Sequence, residues 1–239
     1  MEDKFNMTKE QNIFLAKKEI KENIYNALKL EGSNATFLQT KKILEGINDS
    51  EVSLDDIQII LNLKNAWKYV LENLDKDINL EFICQINSRV SKNESLDPGI
   101  IRYGSVGVTL KNKERYIPEI PDIQKVSEEI KEINLIKNPT EKALKYYLYG
   151  MRSQLFWDGN KRTSNLVANS ILIREGKGII SVNIDKLDEF QTKLSKFYKS
   201  NNYDDLTNFI YNNAIKGLNI DKDLEKKHKS FFIKEELER

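Results

Sequence analysis

Apolar residues recur at helical spacing through most of the chain, and one short glycine-bearing region interrupts them. Ile20, Ile24, Ala27 and Leu28 form one stripe; Ile57, Ile60, Leu61, Trp67, Val70, Leu71 and Leu74 form a second. Thr36-Phe37-Leu38-Gln39 has the form of a capping box, and Ser53 with Asp56 gives the second stripe a similar start. Gly46-Ile47-Asn48-Asp49 reads as a break between them. Helices are predicted over residues 80–90, over 121–135 with Pro121 in the first turn, over 140–154, and over 163–175, where Gly176-Lys177-Gly178 ends the helix. Leu187, Phe190, Leu194, Phe197 and Tyr198 mark a further helix, and Leu206, Phe209 and Ile210 another. Residues 102–118 depart from this period. Residues 105–109 and 114–117 there read as strands about Lys111-Asn112-Lys113, giving a small hairpin on a helical body.

Composition narrows the chemistry. The 239 residues, 39% hydrophobic and 31% charged, support one main globular domain with a charged tail after residue 221 that reads as an exposed helix or a mobile segment. Thirty-eight Lys and Arg against 37 Asp and Glu leave a net charge of +1, so no general attraction to nucleic acid or an anionic membrane is expected, and any phosphate binding must be local. A single cysteine, Cys84, no signal-type apolar segment and no membrane-spanning run lead to the expectation of a cytoplasmic protein. His228 is the one histidine, and it lies in the charged tail, which argues against His-based zinc sites and Ser/His or Cys/His catalytic pairs.

The chemistry concentrates in Phe156-Trp157-Asp158-Gly159-Asn160-Lys161-Arg162-Thr163. A glycine turn opening a helix presents unpaired backbone N–H groups and a partial positive charge, which suit a phosphate. Gly159, Asn160 and Lys161 fall at that point, Arg162 adds a guanidinium for a second phosphate, and Asp158 offers the hard oxygen that Mg²⁺ prefers. Asp-Gly-Asn is also an ordinary turn sequence, so a purely structural role competes with the phosphate reading.

The run from Gln154 through Phe156 to Thr163 resembles the signature of the Fic/Doc (Fido) family, His-x-Phe-x-Asp-Gly-Asn-Gly/Lys-Arg. Gly99-Ile100-Ile101-Arg102 with residues 106–108 is similar to the entry of that family's target-docking hairpin, and the resemblance covers most of residues 78–215. It implies an all-α fold with a small β-hairpin flap at 99–118, a core at 78–218 with the phosphate loop at 154–165, an N-terminal helical region at 1–77 and a tail at 219–239. It further implies that ATP or another nucleotide binds with Mg²⁺, and that a nucleoside monophosphate passes to a hydroxyl of a target protein docked at the flap. Asp158 would hold the metal. Gly159, Asn160, Lys161 and Arg162 would hold the phosphates, with Arg162 reaching the outer ones.

Residues 27–32 resemble the family's inhibitory-helix motif, Ser/Thr-x-x-x-Glu-Gly/Asn, which makes residues 13–31 an inhibitory helix and Glu31 its carboxylate. Three departures matter. Gln154 stands where the proton-accepting histidine belongs, Asn165 replaces the second motif arginine, and Ala27 replaces the hydroxyl residue. Without an arginine at 165, Glu31 is expected to lack its clamp partner. The readings are therefore an adenylyltransferase-like protein with impaired chemistry, a nucleotide-binding pseudoenzyme, or a helical interaction module.

Overall fold

A computed structural model describes residues 1–221, 223–225 and 228. Its centre is the helix after the glycine turn, Asn160–Arg174, whose apolar and small residues are buried on nearly every side. Numbered in chain order, the helices are α1 Lys9–Leu30, α2 Phe37–Leu44, α3 Leu54–Glu72, α4 Leu80–Val90, α5 Ile123–Asn134, α6 Pro139–Ser153, α7 Asn160–Arg174, α8 Leu187–Ser200 and α9 Asp204–Asn213. Helices α1, α3, α4 and α6 all pack on α7, and one buried apolar cluster runs from Met7 to Ile215 through Ile60, Trp67, Ile86, Leu148 and Ile171. The all-α class with a small hairpin holds.

Caps set the helix boundaries. Thr8 and Thr36 each form a full capping box, and Ser53, Asn79, Asp122 and Asn138 each accept a first-turn N–H. Asp122 corrects one expectation. Its side chain accepts from Lys125 N, so α5 starts at Ile123 and Pro121 lies outside the helix. Pro139 instead takes the first helical position of α6. Helix α7 begins three residues before the expected Thr163, at the glycine turn itself.

The flap is shorter than its sequence suggests. Strands β1 Val108–Thr109 and β2 Arg115–Tyr116 pair antiparallel, Val108 with Tyr116 and Thr109 with Arg115. Gly107 on one side and Pro118, which has no N–H, on the other bound the ladder. A second ribbon, β3 Ile179–Ile180 with β4 Ile215–Lys216, was not foreseen and ties the end of α7 to the end of α9. No helix of the described residues is long and apolar enough to cross a membrane. His228 is exposed, and the rest of the expected tail beyond residue 225 lies outside the described residues.

Candidate functional site

The loop between α6 and α7 is held by its own side chains. Gln154 ends α6 in the left-handed conformation, at φ 47°. Asn160 then braces the turn: its Oδ1 accepts from Phe156 N at 2.9 Å, while Nδ2 donates to Phe156 O at 2.8 Å and to Gln154 Oε1 at 3.1 Å. The Asn160 side-chain amide is thus occupied in shaping the loop, which leaves its backbone N–H for a phosphate. Gly159 sits at φ 73°, and a Cβ there would lie 2.8 Å from Val90 Cγ1, so this position needs glycine on two counts. Asn87 of α4, fully buried, donates to Asp158 O at 3.0 Å and Thr163 Oγ1 at 3.1 Å and accepts from Gly99 N at 2.9 Å. One asparagine therefore joins loop, central helix and flap entry.

Helices α1 to α6 are capped by side chains, whereas α7 starts on Gly159 with no side-chain cap. Its first N–H groups keep their capacity to bind an anion. Around them stand Lys161, Arg162 and the carboxylates of Glu31, Glu94 and Asp158. Glu31, the C-cap residue of α1, places Oε2 2.9 Å from Lys161 Nζ and Oε1 3.5 Å from Arg162 Nε. The expectation that Glu31 lacks a partner is corrected. Asn165 turns away, donating to Ile180 O at 3.3 Å, and the clamp falls on Lys161, one helical turn earlier on the same face of α7. Glu94, from the segment after α4, bonds Arg162 Nη1 at 2.9 Å; burial pushes its carboxyl above the ordinary range, and Arg162 opposes that shift.

Gln154 is buried and committed. Its Nε2 donates to Met151 O at 2.6 Å and lies 3.5 Å from Tyr198 Oη. Burial first, and then the charge of Glu31, push the Tyr198 hydroxyl far above its ordinary range, so it stays protonated and cannot act as a base. Tyr116 of β2 stacks on the Tyr198 ring with centroids 5.1 Å apart, which brings the flap over this corner.

Arg102 fixes the flap base. It is fully buried and donates from Nε to Gln154 O at 2.5 Å, from Nη1 to Gly104 O at 2.6 Å and from Nη2 to Glu119 O at 2.5 Å. At the tip, Lys111 Nζ meets Asp188 Oδ1 at 2.5 Å and Thr192 Oγ1 at 2.9 Å, and Glu114 pairs with Lys199, all on α8. A cleft of about 310 Å³ remains between β1, α8 and the end of α1, lined by Glu31, Val108, Lys161, Gln191, Ser195 and Tyr198. Arg102→Met would take the donor from the buried Gln154 carbonyl and from the partly buried carbonyls of Gly104 and Glu119, and a destabilisation of about 3 kcal/mol is expected in urea unfolding.

Residues 77–172 match the sequence profile of the Fic/DOC family. This stretch of the chain carries the Fic/DOC family domain. The chain is similar to the protein adenylyltransferase Fic of Culex quinquefasciatus, 28% identical over 165 residues that make up 65% of this chain and 32% of that protein. It is also similar to the protein adenylyltransferase fic-1 of Caenorhabditis elegans, 24% identical over 184 residues, 72% of this chain and 35% of that protein. The chain spans about a third of the length of these curated relatives. Its fold is shared with a Fic-domain signalling protein of Bacteroides thetaiotaomicron, at TM-score 0.70, 21% identity and 82% coverage of each chain. It is shared as well with C. elegans Fic-1, at TM-score 0.64 and 22% identity, covering 80% of this chain and 58% of that one.

Among the described residues, no three His, Cys, Asp or Glu side chains gather into a metal cluster. The half-exposed Asp158 carboxylate, with Oδ1 bonded to Gly159 N and Arg162 Nη2, nevertheless suits Mg²⁺, which binds through one or two carboxylates, water and substrate phosphates. Sequence reasoning placed Gln154, Asp158, Gly159, Asn160, Lys161, Arg162 and Glu31, and the fold brings all seven to one corner. It missed Asn62, Asn87 and Glu94, and placed Arg102 only as part of the flap entry. The contacts that tie them to the site, Asn62 to Glu94, Asn87 to Asp158, Glu94 to Arg162 and Arg102 to Gln154, join positions distant in sequence and leave no local signal.

Proposed function

We propose that this chain binds ATP with Mg²⁺ across the N-terminus of α7 and transfers adenosine monophosphate to a hydroxyl of a partner protein aligned by flap 99–118, at a rate kept low by Gln154 and Glu31. The observation that carries this is the uncapped, left-handed Gly159 start of α7, with Asp158 and Lys161 beside it. The similarity to two protein adenylyltransferases supports the adenine nucleotide and the protein target.

The backbone N–H groups of Asn160 and Lys161, presented by the Gly159 turn whose own N–H is held by Asp158 Oδ1, would receive the α-phosphate region, and Lys161 and Arg162 would supply positive charge. Asp158 would hold Mg²⁺, which when bound offsets charge on the phosphate oxygens. The 310 Å³ cleft would take the nucleoside. In the transfer, the target hydroxyl oxygen bonds to the α-phosphorus, the bond to the β-phosphate oxygen breaks, and pyrophosphate leaves. The hydroxyl proton passes to solvent, because the Gln154 amide accepts no proton at neutral pH.

One observation favours a second reading, a nucleotide-binding pseudoenzyme: Gln154 is fastened to Met151 and Asn160 with no base beside it. Calorimetry of ATP, GTP, CTP and UTP with and without Mg²⁺, followed by transfer of label from α-labelled nucleotide, separates the cases. Wild type is expected to bind ATP in a Mg²⁺-dependent way, and Asp158→Ala to weaken binding about tenfold or more and abolish the Mg²⁺ dependence. Binding without any transfer selects the pseudoenzyme. No binding of any nucleotide returns the domain to an interaction module.

A further inference from the structure

The two cations that open α7 stand in different surroundings. Arg162 has a side chain only 4% exposed, whereas that of Lys161 is 26% exposed. Arg162 Nη1 donates to Glu94 Oε2 at 2.9 Å, Glu94 Oε1 at 3.2 Å and Val90 O at 3.3 Å, and Nη2 donates to Asp158 Oδ1 at 3.2 Å. Arg162 Nε is a buried N–H with no hydrogen-bond partner, 3.5 Å from Glu31 Oε1. Glu94 is held in turn. Asn62 Nδ2 donates to Glu94 Oε1 at 2.6 Å and to Lys92 O at 2.7 Å, while Asn62 Oδ1 accepts from Gln58 Nε2 at 2.8 Å.

To turn its fork onto a phosphate, Arg162 would have to abandon Glu94, a carboxylate only 14% exposed, and a buried charge stripped of its partner is strongly penalised. Lys161 is under no such constraint. Its partners are Glu31 Oε2 at 2.9 Å and the more distant Leu30 O at 3.5 Å, and its flexible stem lets the ammonium follow a ligand.

We propose that Lys161 is the cation that meets the nucleotide's terminal phosphate, and that Arg162, clamped by Glu94 and Asn62, is a positioning residue that orients Asp158. The assignment rests on the nucleotide-binding reading above and reverses the expectation that Arg162 reaches the outer phosphates. Glu31 then blocks the terminal-phosphate cation itself. The absence of an arginine at 165 is met from one turn away on the same helix face.

Calorimetry with Mg-ATP, Mg-ADP and AMP tests the division, on wild type and on Glu31→Ala, each with Lys161→Ala and with Glu94→Gln added. The preference for ATP over AMP should be tenfold or more in the Glu31→Ala protein. Lys161→Ala should abolish it and leave AMP affinity within about threefold. Glu94→Gln should keep the ATP-to-AMP ratio but raise the Mg²⁺ concentration for half-saturation severalfold, because Asp158 is then the carboxylate left on the Arg162 fork. Melting curves confirm that each variant is folded. Equal loss of ATP and AMP in Lys161→Ala, or loss of the ratio in Glu94→Gln, overturns the division while leaving the nucleotide site standing. Failure of the parent proteins to bind any nucleotide overturns both.

Discussion

Gln154→His is expected to raise label transfer from ATP to a protein hydroxyl by about 10²- to 10⁴-fold, the range that a positioned general base contributes. The site can receive the ring. Position 154 is left-handed at φ 47°, a conformation in which histidine is among the more tolerated residues. The loop does not depend on the lost amide, since Asn160 keeps both bonds to Phe156, and Arg102 holds residue 154 through its backbone carbonyl. The Tyr198 hydroxyl beside the Gln154 amide stays protonated and offers a partner for one ring nitrogen. The variant should also acquire a pH profile that wild type lacks. An imidazole accepts a proton only when neutral, so transfer should rise with pH through about 6.5 and level off above it. A variant that binds ATP as wild type does and still transfers nothing would mean that the target hydroxyl is never aligned with the loop, and the pseudoenzyme reading would then stand.

Much of this architecture was legible because it repeats locally. The stripes on α3, α6 and α8 follow the helical period, and Thr36 and Ser53 are caps whose chemistry is readable within four residues. The misplaced start of α5 shows the limit of a single-residue rule. Proline suits the first turn of a helix, but the Asp122 side chain caps Lys125 N and sets the boundary two residues later. The β3–β4 ribbon was illegible for another reason: two residues per strand give no alternation, and the partners lie more than thirty positions apart.

The site divides along the same line. Asp158, Gly159, Lys161 and Arg162 are consecutive or nearly so, and their types state their chemistry. Glu94 lies in a polar stretch, Ser91-Lys92-Asn93-Glu94-Ser95, where an isolated carboxylate reads as solvated, and only folding brings it to Arg162 and Asn62. The clamp on Glu31 was not legible because the motif puts its partner at position 165, which is Asn165 in this chain. Positions 161 and 165 share a helix face, so a cation at either can answer a carboxylate from α1.

Glu31→Ala is expected to tighten Mg-ATP binding by about tenfold, near 1.4 kcal/mol. In the structure Glu31 neutralises Lys161 at 2.9 Å and stands 3.5 Å from Arg162, so an incoming phosphate chain must first displace a carboxylate and then sit beside it. Among Glu31, Glu94, Asp158, Lys161 and Arg162 the formal charge is −1, which disfavours a polyanion; removing Glu31 brings it to zero. Alanine is the informative substitution because residue 31 is the C-cap at φ −85°, a right-handed backbone where glycine would add unfolded-state entropy unrelated to charge. Glu31→Gln separates the two contributions. If charge dominates, glutamine should tighten binding nearly as much as alanine, and the gain should shrink as ionic strength rises. If bulk dominates, only alanine should show the gain, and salt should leave it unchanged. Calorimetry at low and high salt distinguishes these outcomes, and affinities equal to wild type in both variants would remove Glu31 from the control of this site.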